Sequence, residues 1–69
     1  MLYDYSKLLG IMRQKGYSQE AMAAKIGISP CSMNLKLNNK SEFRQDEMTK
    51  ICLALDIPLI ELTQYFFTH

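Results

Sequence analysis

Apolar residues recur every three or four positions along most of the chain, and this spacing predicts short helices rather than strands. The first helix has an apolar stripe made of Tyr5, Leu8, Leu9 and Met12. Asp4 is suited to cap the N-terminus of this helix, and Gly16 is suited to end it. The first sixteen residues therefore predict an amphipathic helix that packs one face against a core.

Serine and glycine residues define the ends of the next two helices. Ser18 is suited to cap the second helix, and Gly27 supplies the turn after it. The buried stripe of this helix is predicted to consist of Met22, Ala23 and Ile26. Ser29 and Pro30 form a cap and first-turn pair, because a proline at the start of a helix lacks only an N–H that would have no partner there. The third helix is predicted to run to about Asn38.

A polar loop separates the third helix from two more predicted helices. Residues 38–41 are of turn-forming types, and Phe43 is expected to return the loop to the core. The fourth helix has an apolar face made of Met48, Ile51, Cys52 and Leu55. The acidic residues 46 and 47 suit the positive end of its dipole. Asp56 is expected to end this helix, and Pro58 to begin a short fifth helix that holds Leu59 and Leu62.

The length and composition place these helices in one small domain. The chain has 69 residues, of which 48% are apolar, and this predicts a single core for residues 1–69. Charged or polar residues interrupt each apolar cluster, and no basic segment precedes an apolar run at the N-terminus. We therefore expect an all-α, cytoplasmic domain with no membrane partner.

The short link between the second and third helices predicts a steep crossing, because only about three to four residues are available for the turn. Ala23 would allow the two helices to approach closely, and Gly27 can adopt a left-handed backbone conformation. Ile28 and Met33 are expected to fill the angle between the helices. This arrangement is a helix-turn-helix over about residues 18–38, and it exposes the start of the third helix, the part that fits a DNA major groove.

At these residues the chain resembles the lambda-repressor-like, or Xre/Cro-type, helix-turn-helix family of phage and bacterial regulators. The matching positions are Ser18, Gln19, Glu20, Ala23, residues 26–29 and Asn38. The motifs LKLNNK at residues 35–40 and YFF at residues 65–67 are similar to those of small phage or prophage repressors and Cro-like proteins. The resemblance implies a compact five-helix domain that binds a double-stranded DNA operator and regulates transcription, with a repressor as the expected role.

The resemblance also implies which residues contact DNA. Gln19 would bind a phosphate and brace the third helix. Base edges would be read by Pro30, Cys31, Ser32 and Leu35, with Asn34 at the flank. The DNA backbone would be held by Asn38, Lys40 and Ser41, and Ser29 and Lys36 complete the predicted DNA-binding set. Because Pro30 and Leu35 offer only apolar contact, part of the specificity is expected to come from DNA shape.

Two residues of the third helix leave alternatives open. Lys36 occupies a position where the family usually has a buried aliphatic residue. Either its stem lies along the core while the ammonium reaches outward, or Leu37 takes over the packing. The resemblance implies that Leu35 faces DNA, and the alternatives are that it faces a partner protein or the core.

Charge is unevenly distributed along the chain, although the formal net charge is only +1. Residues 25–44 carry a net charge of +3, and residues 45–69 carry −3. The basic excess coincides with the predicted third helix and favours a nucleic-acid partner. The alternative is that these charges only keep the surface soluble.

The sequence offers no set of residues that predicts catalysis. Cys31 and Cys52 lie in separate segments, so reduced thiols are expected rather than a disulfide or a zinc site. Cys31 has the alternative role of a redox sensor at a helix N-terminus. The single histidine, His69, is terminal and expected to be exposed. No nucleophile, base and orienting group can be assembled, so we expect no enzyme activity, no metal and no cofactor.

The aromatic run Tyr65, Phe66 and Phe67 is predicted to follow the fifth helix and to exceed what so small a core can bury. We therefore predict a homodimer that uses these rings and places two recognition helices on a palindromic operator. The alternative is that the rings only cap the core. A different function is also compatible with the fold, namely an adaptor or antirepressor whose third helix binds a protein.

Overall fold

The computed structural model describes residues 2–68, and helices form in all five predicted regions. The α-helices are α1 (Ser6–Gln14), α2 (Gln19–Ile26), α3 (Pro30–Leu37), α4 (Gln45–Ala54) and α5 (Leu62–Phe66). A turn of 3-10 helix at Leu59–Glu61 leads directly into α5. Residues 2–68 contain no strand, and the all-α prediction is confirmed. The expectation for His69 lies outside the described residues.

Ser18 and Ser29 cap α2 and α3, as their positions predict. The Oγ atom of each serine accepts a hydrogen bond from the backbone N–H three residues later, at 3.0 Å for Ser18 and 3.1 Å for Ser29. Gly27 follows α2 with φ of 83°, a left-handed conformation that favours glycine. These three residues fix the lengths of the two helices and the turn between them.

Helix α1 begins later than predicted. It starts at Ser6, with Tyr5 rather than Asp4 in the N-cap position. The carboxylate of Asp4 still accepts a hydrogen bond from the Ser6 backbone N–H at 2.9 Å. This bond and the Ser6 hydroxyl bond to the same oxygen hold the pKa of Asp4 below its ordinary value, with the hydroxyl as the larger cause.

The core lies between all five helices. Its largest fully buried side chains are Leu8, Met12, Met22, Met33, Ile51, Cys52, Leu55 and Phe66. Phe43 brings the α3–α4 loop to this core, as predicted. Its ring stands edge-on to the rings of Tyr5 and Phe66, with centroids 5.4 and 5.2 Å away.

The predicted arrangement of the C-terminal segment is wrong in one respect. The aromatic residues do not follow the last helix, because Tyr65 and Phe66 lie within α5 and Phe67 caps it. Tyr65 and Phe66 are buried, whereas Phe67 is 43% exposed. Successive helical residues point about 100° apart, so α5 directs two rings into the core and the third towards solvent. Of the three rings predicted to form a dimer surface, only Phe67 is exposed.

The N-terminal end of the described chain is held against the α3–α4 loop and against the C-terminal end. Asn39 adopts a φ of 61°, and its side-chain amide forms two hydrogen bonds with the backbone of Tyr3, at 2.8 and 2.9 Å. The Asp4 N–H donates to the carbonyl of Thr68 at 2.6 Å. No helix within residues 2–68 has the length and apolar character needed to cross a bilayer.

Candidate functional site on helix α3

The solvent side of α3 brings most of the predicted contact residues together. Residues 30, 31, 34, 35 and 38 recur at three- and four-residue spacing and therefore lie on one side of the helix. We call this surface, together with the start of α2, the α3 face. Its exposed members are Gln19, Ser29, Pro30, Cys31, Asn34, Leu35 and Asn38. Ser32 is half-buried at its edge, and Lys40 and Ser41 are exposed in the loop that follows.

Polar side chains on the α3 face are partly engaged with one another. The Asn34 amide lies 3.5 Å from the Gln19 carbonyl oxygen and links the start of α2 to the middle of α3. The Ser29 hydroxyl donates to the Ser32 hydroxyl at 3.1 Å. The Asn38 amide donates to the backbone carbonyl of Asn34 at 2.7 Å. These contacts hold the polar groups in place and leave part of their hydrogen-bonding capacity towards solvent.

The structure corrects the placement of Lys36 in the predicted DNA-binding set. Lys36 is only 8% exposed, and its Nζ atom lies 3.0 Å from Oε1 of Glu47 in a buried ion pair. The same ammonium donates to the carbonyl of Glu42 at 2.9 Å. The stem does lie in the core, but the ammonium points inward rather than outward, and Leu37 is buried beside it. A buried ammonium with these partners is not presented to a phosphate group.

The burial of Lys36 leaves α3 itself without an exposed charged side chain. Lys36 is the only lysine or arginine of α3, and Gln19, Ser29 and the exposed residues of α3 carry no formal charge. Leu35 is 39% exposed, and the exposed Cys31 lies one helical turn before it. The α3 face therefore offers apolar contact together with amide and hydroxyl hydrogen bonds.

The cysteines differ in their environments. Cys31 is an exposed free thiol on the α3 face, and Cys52 is a buried free thiol in α4. Burial raises the pKa of the Cys52 thiol above its ordinary value. Residues 2–68 hold no group of three or more His, Cys, Asp or Glu side chains that could bind a metal ion.

Exposed aliphatic residues outside α3 are not among the predicted site residues. Leu53 projects from α4, while Leu59 and Ile60 project from the 3-10 turn. A signal for Leu53 was present, because position 53 falls outside the stripe formed by positions 48, 51, 52 and 55. Leu59 is predicted to lie in the short fifth helix, since the 3-10 geometry of this turn is not visible in the apolar spacing.

The whole fold has a counterpart among solved structures. The chain is similar to the solution structure of the modulator of repression (MOR) of the temperate bacteriophage TP901-1 from Lactococcus lactis. The TM-score is 0.80 and the identity 37%, and the match covers 97% of this chain and 90% of that one. This likeness places the chain with small, phage-associated helical proteins. A comparison with curated proteins finds no match. Residues 1–69 match the family model described as "Protein of unknown function (DUF739)", and the chain belongs to this family.

Proposed function

We propose that this chain modulates repression in a phage or prophage by binding a repressor protein through the α3 face. The observation that carries this proposal is the burial of Lys36, which leaves the exposed surface of α3 without a cation. The similarity to a phage modulator of repression supports the same role. This function is the adaptor alternative that the fold allows rather than the operator-binding repressor.

The chemistry of the α3 face suits a protein partner better than DNA. Affinity for DNA comes largely from cations that neutralise phosphates, and α3 presents none. The cores of protein interfaces, in contrast, are depleted in charged residues and close around apolar anchors. Leu35 is such an anchor, with Cys31 one helical turn before it and the Asn34 and Asn38 amides on the same side of the helix.

A binding measurement with matched variants tests this proposal. The chain is immobilised and titrated with the repressor encoded in the same phage or prophage genome. Leu35→Asp should weaken binding about tenfold or more, because a carboxylate would be buried without a partner. Ile60→Asp is the control, since Ile60 is 89% exposed on the 3-10 turn and outside the α3 face. Equal binding by the wild type and Leu35→Asp, or an equal loss in both variants, would contradict the proposal.

Direct reading of an operator is the second candidate function. It is favoured by the exposed helix starts that carry Gln19 and Ser29, and by Lys40 and Ser41 in the following loop. A homodimer formed through Phe67 would bring two α3 helices to one palindromic site. If the lone chain binds duplex DNA, Lys40→Ala should reduce the slope of log affinity against log salt by about one. Absence of binding to duplex DNA at low salt would exclude this function.

A further inference from the structure

A groove between α2 and α4 forms a second candidate binding surface. It has a volume of about 420 Å³ and is lined by Tyr17, Lys25, Lys50, Leu53 and Ala54, which we call the α2–α4 groove. We propose that the α2–α4 groove binds an acidic amphipathic segment of a partner protein. This site shares no residue with the α3 face and goes beyond the function proposed for that face.

The floor of the α2–α4 groove is apolar and continuous with the core. Tyr17 and Ala54 are half-buried and pack against the core cluster. Leu53 is 66% exposed, because the neighbouring positions 51, 52 and 55 direct the buried side of α4 inward. An aliphatic side chain held in water at the mouth of a groove gains free energy when a partner covers it. The floor therefore calls for an apolar side chain on the ligand.

Two unpaired cations give the α2–α4 groove its charge. Neither Lys25 nor Lys50 forms an ion pair within residues 2–68, where the ion pairs are Lys36–Glu47 and Arg44–Asp46. Asp46 precedes Lys50 by one helical turn, but its partner is Arg44, at 3.8 Å. The lining contains no acidic residue. A ligand that brings carboxylates to these lysines is therefore complementary in charge.

The apolar floor and the two lysines together indicate the class of ligand that the α2–α4 groove binds. The lysine stems can lie along an apolar ligand while their ammonium groups reach carboxylates beside it. An amphipathic helix presents this pattern, with leucines at three- and four-residue spacing and acidic residues next to them. A nucleic-acid backbone would satisfy the lysines but would not supply an aliphatic side chain for Leu53.

The test uses a fluorescent helical peptide of about 15 residues, with leucines on one face and glutamates beside them. Its binding to the full chain is followed by fluorescence anisotropy. Lys25→Gln/Lys50→Gln should weaken binding about tenfold, and Leu53→Gln should weaken it several-fold. The matched controls are Lys15→Gln/Lys40→Gln, which removes the same charge elsewhere, and Ile60→Gln, which removes another exposed aliphatic group. Circular dichroism verifies that each variant is folded.

Two further probes keep the outcomes distinct. A peptide with lysine in place of glutamate should not bind, and a short DNA duplex should not displace the acidic peptide. Equal loss in the control variants, or displacement by duplex DNA, would overturn the proposal. Leu35→Asp should retain peptide binding, so a failure at the α2–α4 groove is distinguishable from a failure at the α3 face.

Discussion

At the scale of single residues, the Lys36–Glu47 pair is the main departure from a simple apolar core. Oε1 of Glu47 lies 3.0 Å from the Lys36 ammonium and also accepts the Arg44 backbone N–H at 2.8 Å. The ammonium reaches the Glu42 carbonyl as well. One buried network therefore joins the end of α3, the loop after it and the start of α4. Since each charge is satisfied only by the other members, the loss of one partner is more harmful than the loss of both.

This asymmetry leads to a prediction for urea unfolding. Lys36→Met should lower the free energy of unfolding by about 3 kcal/mol, because it leaves the Glu47 carboxylate buried without its cation. Lys36→Met/Glu47→Gln should recover most of that loss, since the glutamine oxygen can still accept the Arg44 N–H. A double variant less stable than Lys36→Met would show that the pair is not coupled in this way.

The two thiols should differ in reactivity. The thiolate is the nucleophile, and burial raises the pKa of Cys52 and so lowers its thiolate fraction at neutral pH. Its side chain is also inaccessible, whereas Cys31 is exposed. In the native chain a disulfide reagent should therefore label Cys31 rapidly and Cys52 only after unfolding. Equal labelling rates for Cys31→Ser and Cys52→Ser would contradict the burial of Cys52.

At the scale of helices, local residues largely determine where elements begin and end. The caps Ser18 and Ser29, the proline after Ser29 and the glycine at position 27 act within a few residues, so the bounds of α2 and α3 could be predicted closely. The C-terminal segment could not be predicted in the same way. Its 3-10 turn and the inward direction of Tyr65 and Phe66 depend on packing against distant helices.

Alanine substitutions at two glycines should change the free energy of unfolding in opposite directions. Gly27→Ala should lower the free energy of unfolding by about 1 kcal/mol, because alanine is disfavoured at its φ of 83°. Gly10 lies inside α1, and a Cβ atom there would meet nothing within 4 Å. Gly10→Ala should therefore raise the stability by up to about 1 kcal/mol. Thermal or urea unfolding of both variants checks this, and stabilisation by Gly27→Ala would contradict the left-handed turn.

Alanine substitutions of the neighbouring residues Phe66 and Phe67 should lower the free energy of unfolding by unequal amounts. Phe66→Ala should lower the free energy of unfolding by about 3–5 kcal/mol, because it removes a fully buried ring beside Phe43. Phe67→Ala should cost only about 1 kcal/mol, since this ring is partly exposed and stands edge-on to Tyr3. Melting curves of the two variants measure the difference. Similar melting temperatures for the two variants would contradict the burial of Phe66 and the exposure of Phe67.

At the scale of the whole molecule, long-range contacts explain what the sequence could and could not predict. The apolar spacing was sufficient for an all-α fold and for the composition of most of the core. It could not reveal that Asn39 binds the backbone of Tyr3, or that Lys36 forms an ion pair with Glu47 across the α3–α4 loop. The largest difference between the predicted and the observed site lies at Lys36. Its side chain points inward, so the only cation of α3 is absent from the α3 face.

We infer that the α3 face acts on a repressor protein rather than on DNA. The most direct test follows the anisotropy of a labelled operator duplex as the chain is added, with and without the cognate repressor. We predict no change from the chain alone, even at low salt, and a change in the repressor–operator signal that Leu35→Asp abolishes and Ile60→Asp retains. Binding of the operator by the lone chain, with the repressor signal unaltered, would contradict the claim.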